Sequence, residues 1–315
     1  MDLLPLLGIV ILWLIVMAFM APLESLAWYA GWFGDSPDVI PPPEDFEPSR
    51  AKHFVVYLTG ISGADPHDLL PPEPDFIQRL RDELPEDTIV IDDIFPYSVN
   101  NQSLTGQRVF GWLWRRLYRI QLNTKHISPV AFLINLRNLF QVAVSADNRY
   151  APIYNQSMAS FICGHLLRYG YLPGSNVPIT FIGYSGGGQI AVGAAPFVSD
   201  RMKTRVSVIS LGGVMSAAPG LDHIERMIHI YGTRDNVQSL GVYLFAGRWR
   251  VFASSSWNRA RRSGRIQAIG MPGMTHTGKN SYMDPDAYYT KRHVSHLDRT
   301  VGILAMLLRR IRAAH

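Results

Sequence analysis

The 315-residue sequence contains one cysteine, Cys163, which excludes a disulfide scaffold and a cysteine-rich metal module. Only 17% of its residues are charged, too few for a disordered chain or a long coiled coil. H-E-x-x-H and comparable ligand spacings are missing, as are helix-turn-helix, zinc-finger and RNA-binding signatures, internal repeats and low-complexity tracts. No metal, no cofactor and no nucleic-acid partner is therefore expected. Lys and Arg are absent before Arg50.

Hydrophobic residues make up 47% of the chain, and the mean hydropathy is +0.04. The excess is concentrated at the start. From Leu3 to Leu23 no residue is charged, and as a helix this stretch would span ~30 Å, the thickness of bilayer hydrocarbon. A cleaved signal peptide fits less well, because Asp2 stands where a basic region belongs and Ala18-Phe19-Met20 is a poor cleavage site. Residues 1–23 are thus expected to be a transmembrane anchor in contact with membrane lipid. Residues 24–52 read as a linker: Trp28, Tyr29, Trp32 and Phe33 suit a membrane interface or packing against the globular domain, and Pro37, Pro41, Pro42, Pro43 and Pro48 stiffen the remainder. The acidic flank after the anchor gives no cytoplasmic retention signal, which favours the bulk of the chain on the non-cytoplasmic side.

The net charge of +5 conceals an asymmetry. Residues 246–315 carry thirteen Lys and Arg against three Asp and Glu, a net of +10, which leaves −5 elsewhere. Arg248, Arg250, Arg259, Arg261, Arg262 and Arg265 are the densest part. Such a patch suits anionic headgroups or an acidic substrate, or is simply a solvated face.

From His53 onward, short continuous apolar runs alternate with amphipathic stretches. Strands are expected at His53–Leu58, Thr88–Ile91, Pro178–Ile182, Arg205–Leu211, Met227–Tyr231 and Arg265–Ile269, with helices at Pro74–Leu84, from Gly187, and at Thr300–Arg312. Unbroken apolar strands of this kind belong to a parallel sheet covered on both faces, an α/β class. Between the second and third strands, Gln107–Gln121, Ala131–Val144 and Ile153–Tyr169 have helical spacing. In the first of these, Arg108, Arg115, Arg116 and Arg119 oppose an apolar face, as on an interfacial helix or on an ordinary surface helix with snorkelling arginines.

The turn after the third strand reads Gly183-Tyr184-Ser185-Gly186-Gly187-Gly188, a G-x-S-x-G string in a strand-to-helix context. A sharp reversal there strains the backbone at Ser185, and Gly183 and Gly187 remove side chains that would clash. A serine needs a base and an orienting acid to act as a nucleophile. Asp235 follows the fifth strand and His276 follows the sixth, both on the sheet edge that carries Ser185. Asp222 competes with Asp235 for the acid, and His293 and His296 with His276 for the base. His165 and His229 read as structural histidines.

These features resemble the α/β-hydrolase superfamily, over about residues 53–315. The resemblance implies a mostly parallel sheet of about six strands with helices on both faces and a helical cap insertion at about residues 95–150. It further implies Ser185 as nucleophile, His276 as general base and Asp235 as orienting acid. An oxyanion hole would use the backbone N–H groups of Gly186 and of Ile61 or Gly60, in Thr59-Gly60-Ile61-Ser62-Gly63, where family members often carry histidine at the first position. The expected activity is membrane-anchored cleavage of an ester or related acyl bond, with an acyl-ester or lipid-like substrate. An acyltransferase would use the same residues. A non-catalytic scaffold partnering a membrane protein is the reading from another class, and the complete Ser185, Asp235 and His276 set argues against it.

Overall fold

The structure, a computed structural model, describes residues 46–62, 69, 71–97, 129–289 and 293–315, with positions 5, 8, 12, 16 and 23. Most of the expected anchor, most of the linker and the expected helix at 107–121 lie outside the described residues. Among the described residues, no helix is long and apolar enough to cross a membrane.

Six strands form one sheet: β1 (His53–Leu58), β2 (Thr88–Ile91), β3 (Ile179–Tyr184), β4 (Val206–Leu211), β5 (Met227–Gly232) and β6 (Ile266–Met271). The order is β2-β1-β3-β4-β5-β6, and every pairing is parallel. The intervening helices are α1 (Glu73–Glu83), α2 (Pro129–Ala146), α3 (Ala151–Arg168), α4 (Gly186–Met202), α5 (Asn236–Leu244), α6 (Ser256–Arg262) and α7 (His296–Ala313). β7 (Tyr288–Tyr289) and β8 (Val294–Ser295) make a small antiparallel pair before α7.

The strands lack polar alternation because both faces are covered. Phe54, Val56 and Leu58 of β1 point into a cluster with Ile134, Val142, Met158, Ile162 and Val192 of α2, α3 and α4. Val55 and Tyr57 point the other way, against Phe76, Ile77 and Leu80 of α1 and Leu297, Val301, Leu304 and Leu308 of α7. That is the period of two expected of a pleated strand, read out as two cores. In the described part of the expected insertion, α2 contributes Ile134, Val142 and Val144 to the first core. β6 is the sheet's outer edge, and Gln267, Ala268 and Gly270 are exposed there.

α7 begins at His296, earlier than the expected Thr300. Ser295 caps it by accepting from the Asp298 N–H at 3.0 Å and donating to the Asp298 carboxylate at 2.7 Å, an arrangement typically worth ~1 kcal/mol. The loops after β1, β3, β5 and β6 all leave from the carboxyl ends of parallel strands, so the fold gathers Thr59, Ser185, Asp235 and His276 along one edge. This architecture fits the α/β-hydrolase fold.

Candidate active site

Ser185 sits between β3 and α4 with φ 52° and ψ −120°, a strained region for a non-glycine residue that costs on the order of 1–3 kcal/mol. Close packing on both sides enforces the turn. A Cβ on Gly183 would stand 2.5 Å from the Gly187 carbonyl oxygen, and one on Gly187 would stand 2.4 Å from that of Leu58. The Ser185 N–H donates to the Leu211 carbonyl at 3.0 Å, and its own carbonyl accepts from the Gly188 N–H at 3.1 Å. Both elbow glycines are therefore sterically required, as their spacing implies.

His276 reaches Ser185 from the loop after β6: its Nε2 lies 2.8 Å from Ser185 Oγ, and its Nδ1 lies 2.8 Å from Asp235 Oδ2. A carboxylate only accepts, so the proton sits on Nδ1 and Nε2 is free to accept from the serine hydroxyl. The ring stacks on Tyr184, with centroids 5.6 Å apart and planes 20° from parallel, while the Tyr184 hydroxyl donates to the His276 carbonyl at 2.8 Å. The imidazole is thus fixed at its backbone and at its face.

Asp235 caps α5, its Oδ1 accepting from the Gln238 N–H at 3.0 Å. Its Oδ2 also accepts from the Tyr282 hydroxyl at 2.5 Å, and that hydroxyl in turn accepts from the Gly232 N–H at 2.6 Å. Burial alone would raise the Asp235 carboxyl. The hydrogen bonds and charge of His276, with those from Tyr282 and Gln238, hold it below the usual carboxylate range. Burial, and then Asp235 itself, push the Tyr282 phenol upward, so it stays a donor.

The loop after β1 faces this trio. A Cβ on Gly60 would lie 3.6 Å from Ser185 Cβ, and one on Gly186 would lie 2.7 Å from Ile61 Cγ2. Residues 60, 61 and 186 therefore lie together beside Ser185, packed so closely that a side chain at 186 would displace Ile61 and Val142. The loop is braced from beneath. Thr59 Oγ1 and the Tyr57 hydroxyl donate to Glu73 Oε2 at 2.6 and 2.7 Å. Tyr97 donates to the Thr59 carbonyl at 2.7 Å, and Asn138 to the Ile61 carbonyl at 2.7 Å. Burial pushes the Glu73 carboxyl up to about 7, against the opposing effect of its two hydroxyl donors.

The fold brings together Ser185, Asp235, His276, Ile61 and Gly186, with Gly183 and Gly187 beneath them. Of the competing candidates, Asp222 and His296 are occupied elsewhere and His293 is exposed. Asp222 accepts from Ser256 at 2.6 Å and pairs with Arg259 and Arg265. His296 Nδ1 lies 3.1 Å from the Asn280 carbonyl. His165 is buried with Nδ1 2.9 Å from the Phe161 carbonyl, and His229 is buried between Ser210 and Gln238. Asn155, in an N-x-S string, is 5% exposed and bonded to Ser145. The supporting residues Tyr57, Glu73, Tyr97, Asn138, Tyr184 and Tyr282 were not signalled by any motif. Among the described residues no group of His, Cys, Asp and Glu could hold a metal ion.

No family model and no curated protein matches the chain. Among solved structures it is similar to a dienelactone hydrolase-like promiscuous phosphotriesterase, P91, from metagenomic libraries. That match has 13% identity and a TM-score of 0.44, covering 85% of this chain and 89% of the other. It is also similar to a dienelactone hydrolase from Anabaena variabilis, at 13% identity and a TM-score of 0.39, covering 84% and 88%. A third is LpqC, a poly(3-hydroxybutyrate) depolymerase from Bordetella parapertussis, at 14% identity and a TM-score of 0.34, covering 84% and 80%.

Proposed function

We propose that the protein is a serine hydrolase that cleaves an ester or related acyl bond through an acyl-enzyme on Ser185. The observation that carries this reading is the continuous hydrogen-bonded path from Ser185 Oγ through His276 to Asp235, both links 2.8 Å long. In the proposed reaction His276 Nε2 takes the hydroxyl proton as Ser185 Oγ bonds to the acyl carbon. The negative charge then forming on the carbonyl oxygen is met by the N–H groups of Ile61 and Gly186. Gly186 opens α4, whose first N–H groups have no partner within the helix and carry its positive dipole end. Imidazolium returns the proton to the leaving alcohol, and a water activated by the same imidazole releases the acid. Asp235 stays ionised throughout and stabilises the imidazolium.

We place the domain at a membrane surface, tethered through residues 1–23, with an amphiphilic acyl ester as the substrate class. Support comes from the 21-residue uncharged run and the aromatic residues after it. The test is labelling of the full chain by a fluorophosphonate, read by mass spectrometry, beside hydrolysis of short p-nitrophenyl esters. Ser185 is expected to carry the label, and Ser185→Ala to lose both label and turnover. Full turnover in Ser185→Ala, or no label on folded protein, sinks the proposal. Product analysis in the presence of an acceptor alcohol separates hydrolysis from acyl transfer.

A further inference from the structure

Five of the six arginines of the dense segment fall into two sets with different chemistry. Arg259 and Arg265 share an ion pair with Asp222. Arg248, Arg250 and Arg261 instead line a separate groove of 580 Å³ between the outer face of β5 and β6 and the α5 to α6 segment. None of Ser185, Asp235 and His276 lines it.

Arg248 is the unusual member. It is 8% exposed, yet it forms no ion pair among the described residues, and its buried Nε has no hydrogen-bond acceptor there. Its contacts are one N–H to the Met215 carbonyl at 3.3 Å and the face of Trp257, 3.9 Å from the guanidinium. A carbonyl and a ring quadrupole offset only part of what it costs to bury a cation. Arg250 and Arg261, both exposed and without ion pairs among the described residues, add like charge to the same concavity. Three uncompensated guanidiniums in one groove are stabilised by an anion, and a planar fork of N–H donors favours phosphate or carboxylate oxygens.

Of the remaining lining, Val242, Trp249, Trp257, Ile266 and Ala268 are apolar, while His229, Tyr231 and Gln238 add polar atoms. Val242 and Trp249 border the groove and are 43% and 46% exposed. Tyr243, Leu244, Val251 and Phe252, close by in sequence, are 76%, 67%, 78% and 47% exposed. Exposed apolar side chains grouped beside cationic ones form a surface for an amphiphile rather than for a bare ion.

We propose that this groove is a second site, distinct from the Ser185 site, that binds an anionic amphiphile, its phosphate or carboxylate head on Arg248, Arg250 and Arg261 and its apolar part against Trp249 and Val242. A membrane phospholipid and a free alkyl phosphate or carboxylate share this chemistry.

The experiment titrates full-length protein in neutral-detergent micelles with hexyl phosphate, inorganic phosphate and hexyltrimethylammonium, followed by calorimetry. Saturable binding of one hexyl phosphate per chain is expected, at least tenfold tighter than inorganic phosphate, with no binding of the cation. Because Arg248 packs on Trp257, Arg248→Met can fail to fold. The test therefore rests on the double variant Arg250→Gln and Arg261→Gln, whose side chains are exposed and which should weaken hexyl phosphate at least tenfold. Fluorophosphonate labelling of Ser185 in the same samples reports the active site separately, so either reading can fail alone. Nanodiscs of phosphatidylcholine with and without phosphatidylglycerol distinguish the sources. Loss of hexyl phosphate binding in phosphatidylglycerol, with Arg250 and Arg261 intact, identifies the lipid headgroup, and unchanged binding identifies a free ligand. Failure of hexyl phosphate to saturate, or equal affinity in the double variant, overturns the proposal.

Discussion

Replacing Glu73 by Gln isolates the brace beneath Thr59. The carboxyl is 5% exposed, and burial lifts it from its ordinary 4.5 to about 7 although Thr59 and Tyr57 donate to it. Between those two values the folded chain holds a proton that the unfolded chain has released. This group's contribution to stability is therefore complete below about pH 4.5 and is lost as the pH rises through about 7. At about 1.36 kcal/mol per pH unit the loss is about 3 kcal/mol in full, of which about 2.5 falls between about pH 5 and about pH 8. Gln keeps the shape, its amide oxygen can accept both hydroxyls, and it never ionises. The stability of Glu73→Gln minus that of wild type should accordingly climb by about 2.5 kcal/mol over that range. Urea unfolding of the full chain, followed by tryptophan fluorescence at closely spaced pH values, measures the difference, and contributions common to both chains cancel. A difference that stays level to within about 0.5 kcal/mol refutes the reasoning.

Asp235→Asn should retain the fold but lower ester turnover by about 10⁴, because an amide can hold His276 in the wrong tautomer; stopped-flow with p-nitrophenyl esters reads this, and a loss under tenfold contradicts the assigned role. Tyr282→Phe leaves the Gly232 N–H and one Asp235 lone pair without the hydroxyl, and should cost about 1–3 kcal/mol of stability in urea titrations. Gly187→Ala should yield no soluble protein, since its Cβ meets the Leu58 backbone oxygen at 2.4 Å, whereas Gly186→Ala meets only side-chain ends, those of Ile61, Val142 and Tyr97. The latter should fold and lose turnover, and equal solubility of the two contradicts the steric account. Burial lowers His53 and His229 from 6.5 to about 4, so the unfolded chain takes up protons first. Stability from these two groups is present above about pH 6.5 and is lost as the pH falls through about 4, which acid titration of the unfolding midpoint will register.

The residues legible in the sequence are those whose chemistry is tied to the chain's own order. Ser185 announces itself through glycines two residues on either side, and Asp235 and His276 each follow a strand whose direction the parallel pattern already fixes. The supports are illegible because they converge through space. Glu73 meets Thr59 across 14 positions, Tyr97 meets the same residue across 38, Tyr282 meets Asp235 across 47 and Asn138 meets Ile61 across 77. No local spacing encodes such distances. α5 is missed for a different reason. Gly232-Thr233-Arg234-Asp235-Asn236 has the composition of a turn, and Asp235 is both the residue that ends it and the cap that starts the helix. The arginines fare similarly: density along the chain says nothing of Asp222, which pairs with Arg259 and Arg265 and not with Arg248.

One buried carboxyl bonds His276 and another bonds Thr59, and their environments push them in opposite directions. Asp235 receives an imidazole N–H, a phenol and a backbone amide, and is held ionised; Glu73 receives two hydroxyls on one oxygen and stays largely protonated up to about pH 7. Such divergence assigns different duties to chemically similar groups. In the proposed reaction, ionised Asp235 supports the imidazolium. Neutral Glu73, bonded to the residue just before Gly60, places no negative charge behind the loop where the acyl oxygen would become anionic. Raising the pH through about 7 ionises it and sets a like charge there, which opposes the transition state. The kcat/KM profile for ester hydrolysis should therefore decline on an alkaline limb governed by Glu73, and Glu73→Gln should remove that limb while leaving the acid limb in place. An unchanged alkaline limb in Glu73→Gln would show that Glu73 supports the loop mechanically and not through its charge.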